Sequence, residues 1–217
     1  MNFKLAIDGP AASGKSTISK LIAKRLNFVH IDTGAIYRAV AFYALSNNLD
    51  TDLEGSFDYL DKIKITYKND SIYLNDLDIT KKIRTPEISN LASKISAYKI
   101  VRDKLYHLQK RLASENSLVV MDGRDIGTVI LPDADLKIFL TATLTERAKR
   151  RKNEKGYKGI KDINKVISEI SKRDENDKSR KQSPLKMADD AVLIDTTNMS
   201  IEMVVDKIIK LIKQKEK

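Results

Sequence analysis

Hydrophobic residues are concentrated in five short runs, separated mostly by longer segments in which they recur at helical spacing. The runs are of β-strand length and comprise Phe3 to Ile7, Phe28 to Ile31, Leu118 to Met121, Leu136 to Leu140 and Ala191 to Ile194. Alternation of such runs with helical segments is typical of a parallel sheet wrapped by helices. The pattern therefore predicts an α/β fold with a five-stranded parallel sheet flanked by helices.

Two regions depart from this alternation. Between Ile63 and Ile79, short alternating segments surround Asn69-Asp70 and Asn75-Asp76, pairs that favour tight turns. These segments are too short for helical crossovers, so we expect a small antiparallel insertion. The polar stretch from Glu154 to Lys161, which contains two glycines, predicts a connecting segment.

A phosphate-binding loop is predicted directly after the first strand. The run GPAASGKST, from Gly9 to Thr17, has the spacing G-x-x-x-x-G-K-[ST] and is followed by helical spacing from Ile18 to Leu26. Glycines let the backbone N–H groups point inward, and the helix N-terminus adds positive potential. Lys15 adds a full charge, and the hydroxyl of Ser16 suits the Mg²⁺ that accompanies a nucleoside triphosphate. We therefore expect nucleotide binding and not an ordinary Gly/Ser turn.

Composition narrows the class of protein. A length of 217 residues fits one compact domain, and the absence of cysteine excludes disulfides, thiolate catalysis and cysteine-ligated zinc. The two histidines, His30 and His107, are scattered and do not suggest a metal site. No stretch approaches the roughly 18 apolar residues of a membrane span, and a strand stands where a signal peptide would lie. We expect a cytoplasmic location.

The charge distribution draws attention to arginine. The net charge of +10 is compatible with nucleic acid, a membrane surface or small polyanions as partners. Lysines are dispersed along the chain, whereas arginines fall into a few groups. Because a guanidinium presents a planar fork of donors to phosphate oxygens, these groups are the better indication of function.

A second anion site is predicted after the second strand. In the segment Asp32 to Arg38, Gly34 permits a tight entry and Arg38 lies one helical turn later, where it can face the site. The alternative is a helix capped by Asp32 or Thr33, with Arg38 at the surface.

A third group follows the third strand, at the sheet edge where open α/β folds bind ligands. There, Asp122 occupies a Walker-B-like position and could hold Mg²⁺ through water. A turn-forming Asp-Gly is the alternative, and the neighbouring Arg124 and Asp125 make it less attractive.

Two sets of charged residues have helical spacing: Arg147, Arg150 and Arg151 in one, and Arg173, Asp177 and Arg180 in the other. Each could be a solvated face held by salt bridges. Phosphoryl transfer, however, requires several cations around the transferring group. Beside a phosphate-binding loop, these sets become candidate parts of a kinase site.

Six segments together resemble the bacterial cytidylate kinase family: GPAASGKST (9–17), DTGAIYR (32–38), IRTPEIS (83–89), DGRDIGTVILPDA (122–134), KIFLTA (137–142) and RD..D..R (173–180). The resemblance runs nearly from end to end. It implies a single domain over residues 1–217 with an adenylate-kinase-like core. It further implies an NMP-binding region at about 33–115, which includes the small β insertion at about 63–80, and a lid at about 147–161.

The activity implied by the resemblance is ATP-dependent phosphorylation of CMP and dCMP, with Mg²⁺. It also implies a cytoplasmic enzyme of pyrimidine metabolism that is a monomer and acts on small molecules, without nucleic acid or membrane as partners.

Matching positions carry the following implied roles. The ATP phosphates are assigned to Gly9, Pro10, Ala11, Ala12, Ser13, Gly14, Lys15, Ser16 and Thr17. The acceptor phosphate is assigned to Arg38, Arg124 and Arg180, and the ribose to Arg173 and Asp177. Thr33, where the family often has serine, lies near the nucleotide, and the cytosine is assigned to Ser93, Arg102 and Asp125. The catalytic set is Lys15 with the lid arginines Arg147, Arg150 and Arg151, and Mg²⁺ is assigned to Ser16 and Asp122.

The base assignment agrees with hydrogen-bonding chemistry. Cytosine offers an amino donor beside two acceptors, which a carboxylate and a guanidinium complement. Uracil reverses two of these groups, and each mismatch costs roughly 1–3 kcal/mol. We therefore expect CMP and dCMP to be used well above UMP.

Three other activities share a phosphate-binding loop. A kinase for another small acceptor, such as shikimate or a different nucleoside monophosphate, would be separated by testing acceptors. A GTPase switch would need a guanine-recognition motif, and no Asn-Lys-x-Asp sequence is present. A nucleic-acid-binding ATPase would show salt-dependent affinity for nucleic acid.

Overall fold

The structure is a computed structural model that describes residues 2–68, 71–154 and 162–215. The strands are β1 (Phe3–Asp8), β2 (Val29–Asp32), β3 (Ile65–Lys68), β4 (Ser71–Leu74), β5 (Leu77–Asp78), β6 (Leu118–Gly123), β7 (Leu136–Thr141) and β8 (Val192–Asp195). The α-helices are α1 (Lys15–Leu26), α2 (Thr33–Ser46), α3 (Pro86–Ile95), α4 (Lys99–Ser114), α5 (Leu144–Lys152), α6 (Ile163–Ser179) and α7 (Ile201–Lys215). A 3-10 helix, Glu54–Asp61, and a π-helical turn, Ile126–Ile130, complete the described elements.

The main sheet has the order β2-β6-β1-β7-β8, with all neighbouring strands parallel. Each of the five predicted hydrophobic runs contributes one of its strands, so the prediction of a five-stranded parallel sheet is confirmed. Apolar side chains suit these strands because helices cover both faces of the sheet. Leu5 and Ala6, which point to opposite faces of β1, are both fully buried.

The strand order indicates which edge of the sheet is suited to bind a ligand. β1 is central: the chain first forms β2 on one side of it, returns to β6 beside β1, and then crosses to β7 on the other side. In open α/β sheets such a reversal opens a crevice at the carboxyl ends of the strands. The register pairs Asp122 with both Ile7 and Asp32, so the ends of β1, β2 and β6 lie side by side.

The C-terminal helix shows how the sheet is covered. In α7, Val204, Val205, Ile208 and Ile212 are buried in one cluster with residues of α1, β1 and β7. Their spacing places them on one face of the helix, while lysines occupy much of the other face. This burial holds α7 against the sheet.

The segment expected to form an antiparallel insertion contains the three-stranded sheet β3-β4-β5, with both strand pairs antiparallel. Asn75 and Asp76 connect β4 to β5 with φ angles of 47° and 65°, which short polar side chains tolerate. The other expected turn, at 69–70, lies outside the described residues. Ile72 and Ile79 of this insertion are fully buried in a cluster with α2.

Within residues 2–68, 71–154 and 162–215, no helix has the length and apolar character needed to cross a membrane.

Candidate active site

A cavity of about 530 Å³ lies at the carboxyl edge of the main sheet. The phosphate-binding loop and the ends of β2 and β6 form part of its wall, and residues of α2, α3, α4, α5 and α6 and of adjoining segments also line it. The sequence-predicted residues that line it are Ala11, Ala12, Ser13, Gly14, Lys15, Ser16, Thr17, Thr33, Arg38, Ser93, Arg102, Asp122, Arg124, Asp125, Arg151, Arg173, Asp177 and Arg180. These residues come from widely separated parts of the sequence, and folding brings them around one space.

Gly9 and Pro10 do not line the cavity, and their contacts shape the loop instead. A Cβ on Gly9 would lie 2.0 Å from the carbonyl oxygen of Leu140, and its φ of 149° is unfavourable for other residues. Pro10 supplies a carbonyl oxygen that accepts from Lys15 Nζ at 2.7 Å. Gly9 therefore permits the close approach of the loop to β7.

The loop leaves a cation and backbone donors beside the cavity. Lys15 is buried, and its Nζ also donates to Ser13 Oγ at 3.3 Å. Burial, with repulsion from Arg124, lowers the pKa of Lys15 well below its ordinary value. Gly14 caps α1 without a side-chain hydrogen bond, so the first-turn N–H groups of the helix are available to an anion.

Asp122 joins β6 to the loop through its two carboxylate oxygens. One oxygen accepts from Ser16 Oγ at 2.7 Å, and the other lies 2.6 Å from His30 Nε2. His30 and Asp122 are both buried, so the histidine fixes the orientation of the carboxylate. The hydroxyl and the carboxylate at this cavity wall provide oxygen ligands of the kind that Mg²⁺ binds together with nucleotide phosphates.

Asp32 combines two features that the sequence presented as alternatives. Its carboxylate caps α2 by accepting from Ala35 N at 3.0 Å, and it also accepts from Arg38 Nη2 at 2.8 Å. Arg84 Nη2 lies 3.3 Å from the same carboxylate oxygen that binds Arg38. Burial alone would raise the pKa of Asp32, but Arg38 and Arg84 hold the pKa of this carboxyl well below its usual range. Asp32 is therefore an ionised carboxylate that orients two arginines at the cavity.

Arg102 and Asp125 form a buried pair at the end of the cavity bounded by α3 and α4. Arg102 donates to Asp125 and to the carbonyl oxygen of Ser96, and its guanidinium lies 5.8 Å from the ring centre of Tyr37. The pair presents a carboxylate and a guanidinium to the same cavity. Such a pair can recognise a planar polar group that has both donors and acceptors.

Asp8 holds the turn that follows Asp125. Its carboxylate accepts from Ile126 N at 2.8 Å and from Gly127 N at 2.7 Å. Burial nevertheless raises the pKa of Asp8 to about 6, because it outweighs these two hydrogen bonds. Asp8 therefore positions the backbone that carries Asp125.

The third charged group lies at the C-terminal end of α6. Arg124 Nε donates to Asp177 at 2.7 Å, and Arg173 lines the cavity nearby. Burial and repulsion from Arg124 lower the pKa of Arg173 to about 10. The predicted helical face holds for Arg173 and Asp177 but not for Arg180, because α6 ends at Ser179 and Arg180 adopts a non-helical conformation. Arg180 still lines the cavity from beyond the helix.

Several buried donors in this cavity have no hydrogen-bond partner among the described residues. Among the described residues, six buried side-chain polar atoms have no hydrogen-bond partner, and four of them belong to cavity-lining residues. These four atoms are Arg38 Nε, Ser93 Oγ, Arg173 Nε and Arg180 Nη2. Because buried polar atoms are normally paired, this concentration indicates a site built for a polar, anionic ligand.

The three predicted lid arginines do not share one environment. Arg147 is buried away from the cavity and donates to the carbonyl oxygens of Ala142 and Ala11, each at 3.0 Å, and to Asp174. Arg150 donates to Thr196 Oγ1 at 2.8 Å and does not line the cavity.

Arg151 is the member of the set that lines the cavity, where it pairs with Glu154 at 2.8 Å. The rest of the expected lid, residues 155–161, lies outside the described residues.

Sequence reasoning did not assign several residues that line the cavity or support it. Tyr37, Arg84, Ser89 and Ser96 line it, and Asp8 supports it. Position in the sequence offered a partial signal, since Tyr37 precedes Arg38 and Arg84 lies in the segment IRTPEIS.

Comparison with known proteins identifies the family of this chain. A model of the cytidylate kinase family matches residues 5–214. The chain belongs to the cytidylate kinase family. A cytidylate kinase of Acholeplasma laidlawii is 50% identical over 211 residues, covering 97% of this chain and 95% of the relative. A cytidylate kinase of Fusobacterium nucleatum is 48% identical over 215 residues, covering 98% of each chain.

Solved structures extend the likeness of this cytidylate kinase family member to the fold of other kinases. A shikimate kinase from Acinetobacter baumannii in complex with shikimate superposes with a TM-score of 0.52 at 12% identity, covering 99% of this chain and 94% of that one. At such low identity the likeness concerns the fold alone.

Proposed function

We propose that the chain transfers the γ-phosphoryl group of ATP to CMP and dCMP, forming CDP or dCDP and ADP. Membership of the cytidylate kinase family supports this activity. The observation that carries the proposal is one cavity with a phosphate-binding loop at one side and the Arg102–Asp125 pair on another wall. The two features suit a nucleotide donor and a base-bearing acceptor in a single site.

The donor phosphates bind at residues 9–17 in this proposal. Backbone N–H groups at the start of α1 face the β-phosphate, and Lys15 neutralises its charge. The pKa of Lys15 is lowered in the protein without nucleotide. A bound anionic nucleotide raises it again, because the negative charge favours the protonated amine. Ser16 and Asp122 would hold Mg²⁺, which, when bound, neutralises charge on the phosphate oxygens.

The acceptor lies against the opposite wall. Arg38, Arg124 and Arg180 bind its phosphate, and their unpaired or partly paired guanidinium donors support this role. The ribose is assigned to Arg173 and Asp177 and a contact with the nucleotide to Thr33, and all three residues line the cavity.

Base recognition is assigned to Ser93, Arg102 and Asp125. The Asp125 carboxylate accepts from the amino group of cytosine, while donors from Arg102 and Ser93 meet the ring acceptors. The region at about 33–115 would thus bind the nucleoside monophosphate, and the segment at about 147–161 would close as a lid.

The reaction needs no covalent intermediate with the protein. A negatively charged phosphate oxygen of the acceptor attacks the γ-phosphorus in line, and the bond to the bridging oxygen of ADP breaks. The attacking oxygen is already ionised, so no general base is required. The protein contributes alignment, charge neutralisation and exclusion of water.

A panel of acceptors tests the proposal. Purified protein with ATP and Mg²⁺ is offered CMP, dCMP, UMP, AMP and shikimate in turn, and ADP release and the phosphorylated product are measured. We expect kcat/KM for CMP and dCMP to exceed the values for the other acceptors by tenfold or more. The Lys15→Ala variant serves as a control for contaminating kinases. A higher kcat/KM for shikimate, AMP or UMP would refute the proposal.

A further inference from the structure

Arg84 is a cavity residue without an assigned role in the proposed reaction. It lies at the end of the short connection from β5 to α3, just before the cap Thr85 and the first helical residue Pro86. Thr85 accepts from Ile88 N at 3.2 Å, which fixes the start of the helix. The connection therefore brings an arginine that follows the small antiparallel sheet to the same cavity as the phosphate-binding loop.

The contacts of Arg84 differ from those of its neighbour. Arg38 is 12% exposed and Arg84 is 46% exposed, although both bind the same oxygen of Asp32. The Arg38 contact is 2.8 Å and the Arg84 contact 3.3 Å. One carboxylate thus restrains both arginines, and the Arg84 side chain keeps almost half of its surface exposed.

The charge balance of the cavity is in favour of an anion. Among the residues that the structure describes, eight cationic side chains line it, against five carboxylates. Most of the carboxylates already have an arginine partner, as in Arg38–Asp32, Arg102–Asp125, Arg124–Asp177 and Arg151–Glu154. Arg84 is a second cation on Asp32, so its charge is only partly compensated within the protein.

Arg38 and Arg84 are close enough to repel each other. This repulsion, after burial and the opposing effect of Asp32, contributes to the lowered pKa of Arg38. Two guanidinium groups kept side by side at a cavity wall favour a ligand with several negatively charged oxygens.

We infer that Arg84 is a further binding residue for the acceptor's phosphate, held ready by Asp32 and acting beside Arg38. The inference rests on the proposed function, since it assumes that the acceptor is CMP. It assigns to the connection between the small sheet and α3 a direct part in acceptor binding. A phosphate that bridges Arg38 and Arg84 would also relieve the repulsion between them.

The test compares CMP with cytidine, which has the same base and sugar but no phosphate. Dissociation constants for both ligands are measured by calorimetry for the wild-type chain, Arg84→Ala and Arg84→Lys. Arg111→Ala is the matched control, because Arg111 is an exposed arginine of α4 that pairs with Glu115 and does not line the cavity. Thermal unfolding checks that each variant is folded.

We expect Arg84→Ala to weaken CMP binding about tenfold or more, consistent with the loss of a charge-assisted hydrogen bond. Cytidine binding should change less than about twofold, Arg84→Lys should recover part of the CMP affinity, and Arg111→Ala should match the wild type. Unchanged CMP affinity in Arg84→Ala would overturn the inference. Equal loss of CMP and cytidine affinity would also overturn it, because it would indicate a purely structural role.

Failure of the proposed function appears differently. In that case the wild-type chain itself would bind no CMP or fail to phosphorylate it, and the inference would fall with the function. If the wild type does phosphorylate CMP, only the comparison of CMP with cytidine in Arg84→Ala decides the role of Arg84.

Discussion

Replacing Asp125 by asparagine should relax the choice between CMP and UMP. Asp125 is buried, and Arg102 donates to one of its carboxylate oxygens. Arg102 would therefore hold the amide oxygen of the asparagine and leave the NH₂ group at the position of the other oxygen. An NH₂ group there cannot accept from the amino group of cytosine, but it can donate to O4 of uracil.

The magnitude follows from the bond that is lost. A hydrogen bond to a charged group contributes about 1.5–3 kcal/mol, and 1.4 kcal/mol corresponds to a factor of ten. We expect kcat/KM for CMP to fall about ten- to hundredfold. The value for UMP should stay level or rise, so the ratio of the two should fall by at least about tenfold.

The assay measures kcat/KM for both acceptors at saturating ATP by coupled ADP release. Asp174→Asn is the matched control, because Asp174 is also buried and paired with an arginine but lies outside the cavity lining. Asp174 also accepts a hydrogen bond from Ala11 N at 3.0 Å. Any effect of this contact on the phosphate-binding loop cancels in the ratio of the kcat/KM values for CMP and UMP. A folded Asp125→Asn variant with the wild-type ratio would refute base reading by Asp125.

Three further predictions concern catalysis and stability. Lys15→Ala should lower kcat by about 10²- to 10³-fold without lowering the unfolding temperature, because it removes a buried cation from the proposed site of phosphoryl transfer. A near-normal kcat in the folded variant would contradict the role of Lys15. Because the pKa of Asp8 is raised from 3.8 to about 6, the folded state binds the proton more tightly, and stability should fall by up to about 3 kcal/mol as the pH rises from 4 to 7. Urea unfolding should show this fall in the wild type and not in Asp8→Asn, and equal slopes in both would exclude Asp8 as the source. Arg147→Ala should lower the unfolding temperature by roughly 6–20 °C in calorimetry, because it leaves buried Asp174 without its cationic partner, and an unchanged temperature would show that the ion pair contributes nothing.

The main sheet was predictable because its strands are buried on both faces and appear in the sequence as continuous apolar runs. The phosphate-binding loop was equally accessible, since its function depends on local backbone geometry set by consecutive residues. Residues such as Arg38 and Asp125 could be proposed because each follows a strand whose carboxyl end reaches the same sheet edge.

Arg147 and Arg150 show where sequence reasoning ends. Their helical spacing with Arg151 predicts a shared face but not what that face contacts. Arg147 donates to Asp174 of α6, and Arg150 donates to Thr196, which follows β8. Such partners are set by tertiary packing, so the sequence could not separate an arginine that holds the fold together from one that faces the substrate.

Asp8 links the two halves of the cavity in a way that constrains the size of the acceptor. It is the last residue of β1 and directly precedes the phosphate-binding loop, while its carboxylate holds the turn after Asp125. The phosphate-binding loop and the carboxylate that we propose to read the base are thereby both tied to the end of β1. We therefore expect this strand end to set the span between them, so that an acceptor whose phosphate lies farther from its base, such as a nucleoside diphosphate, places its terminal oxygen out of line with the donor.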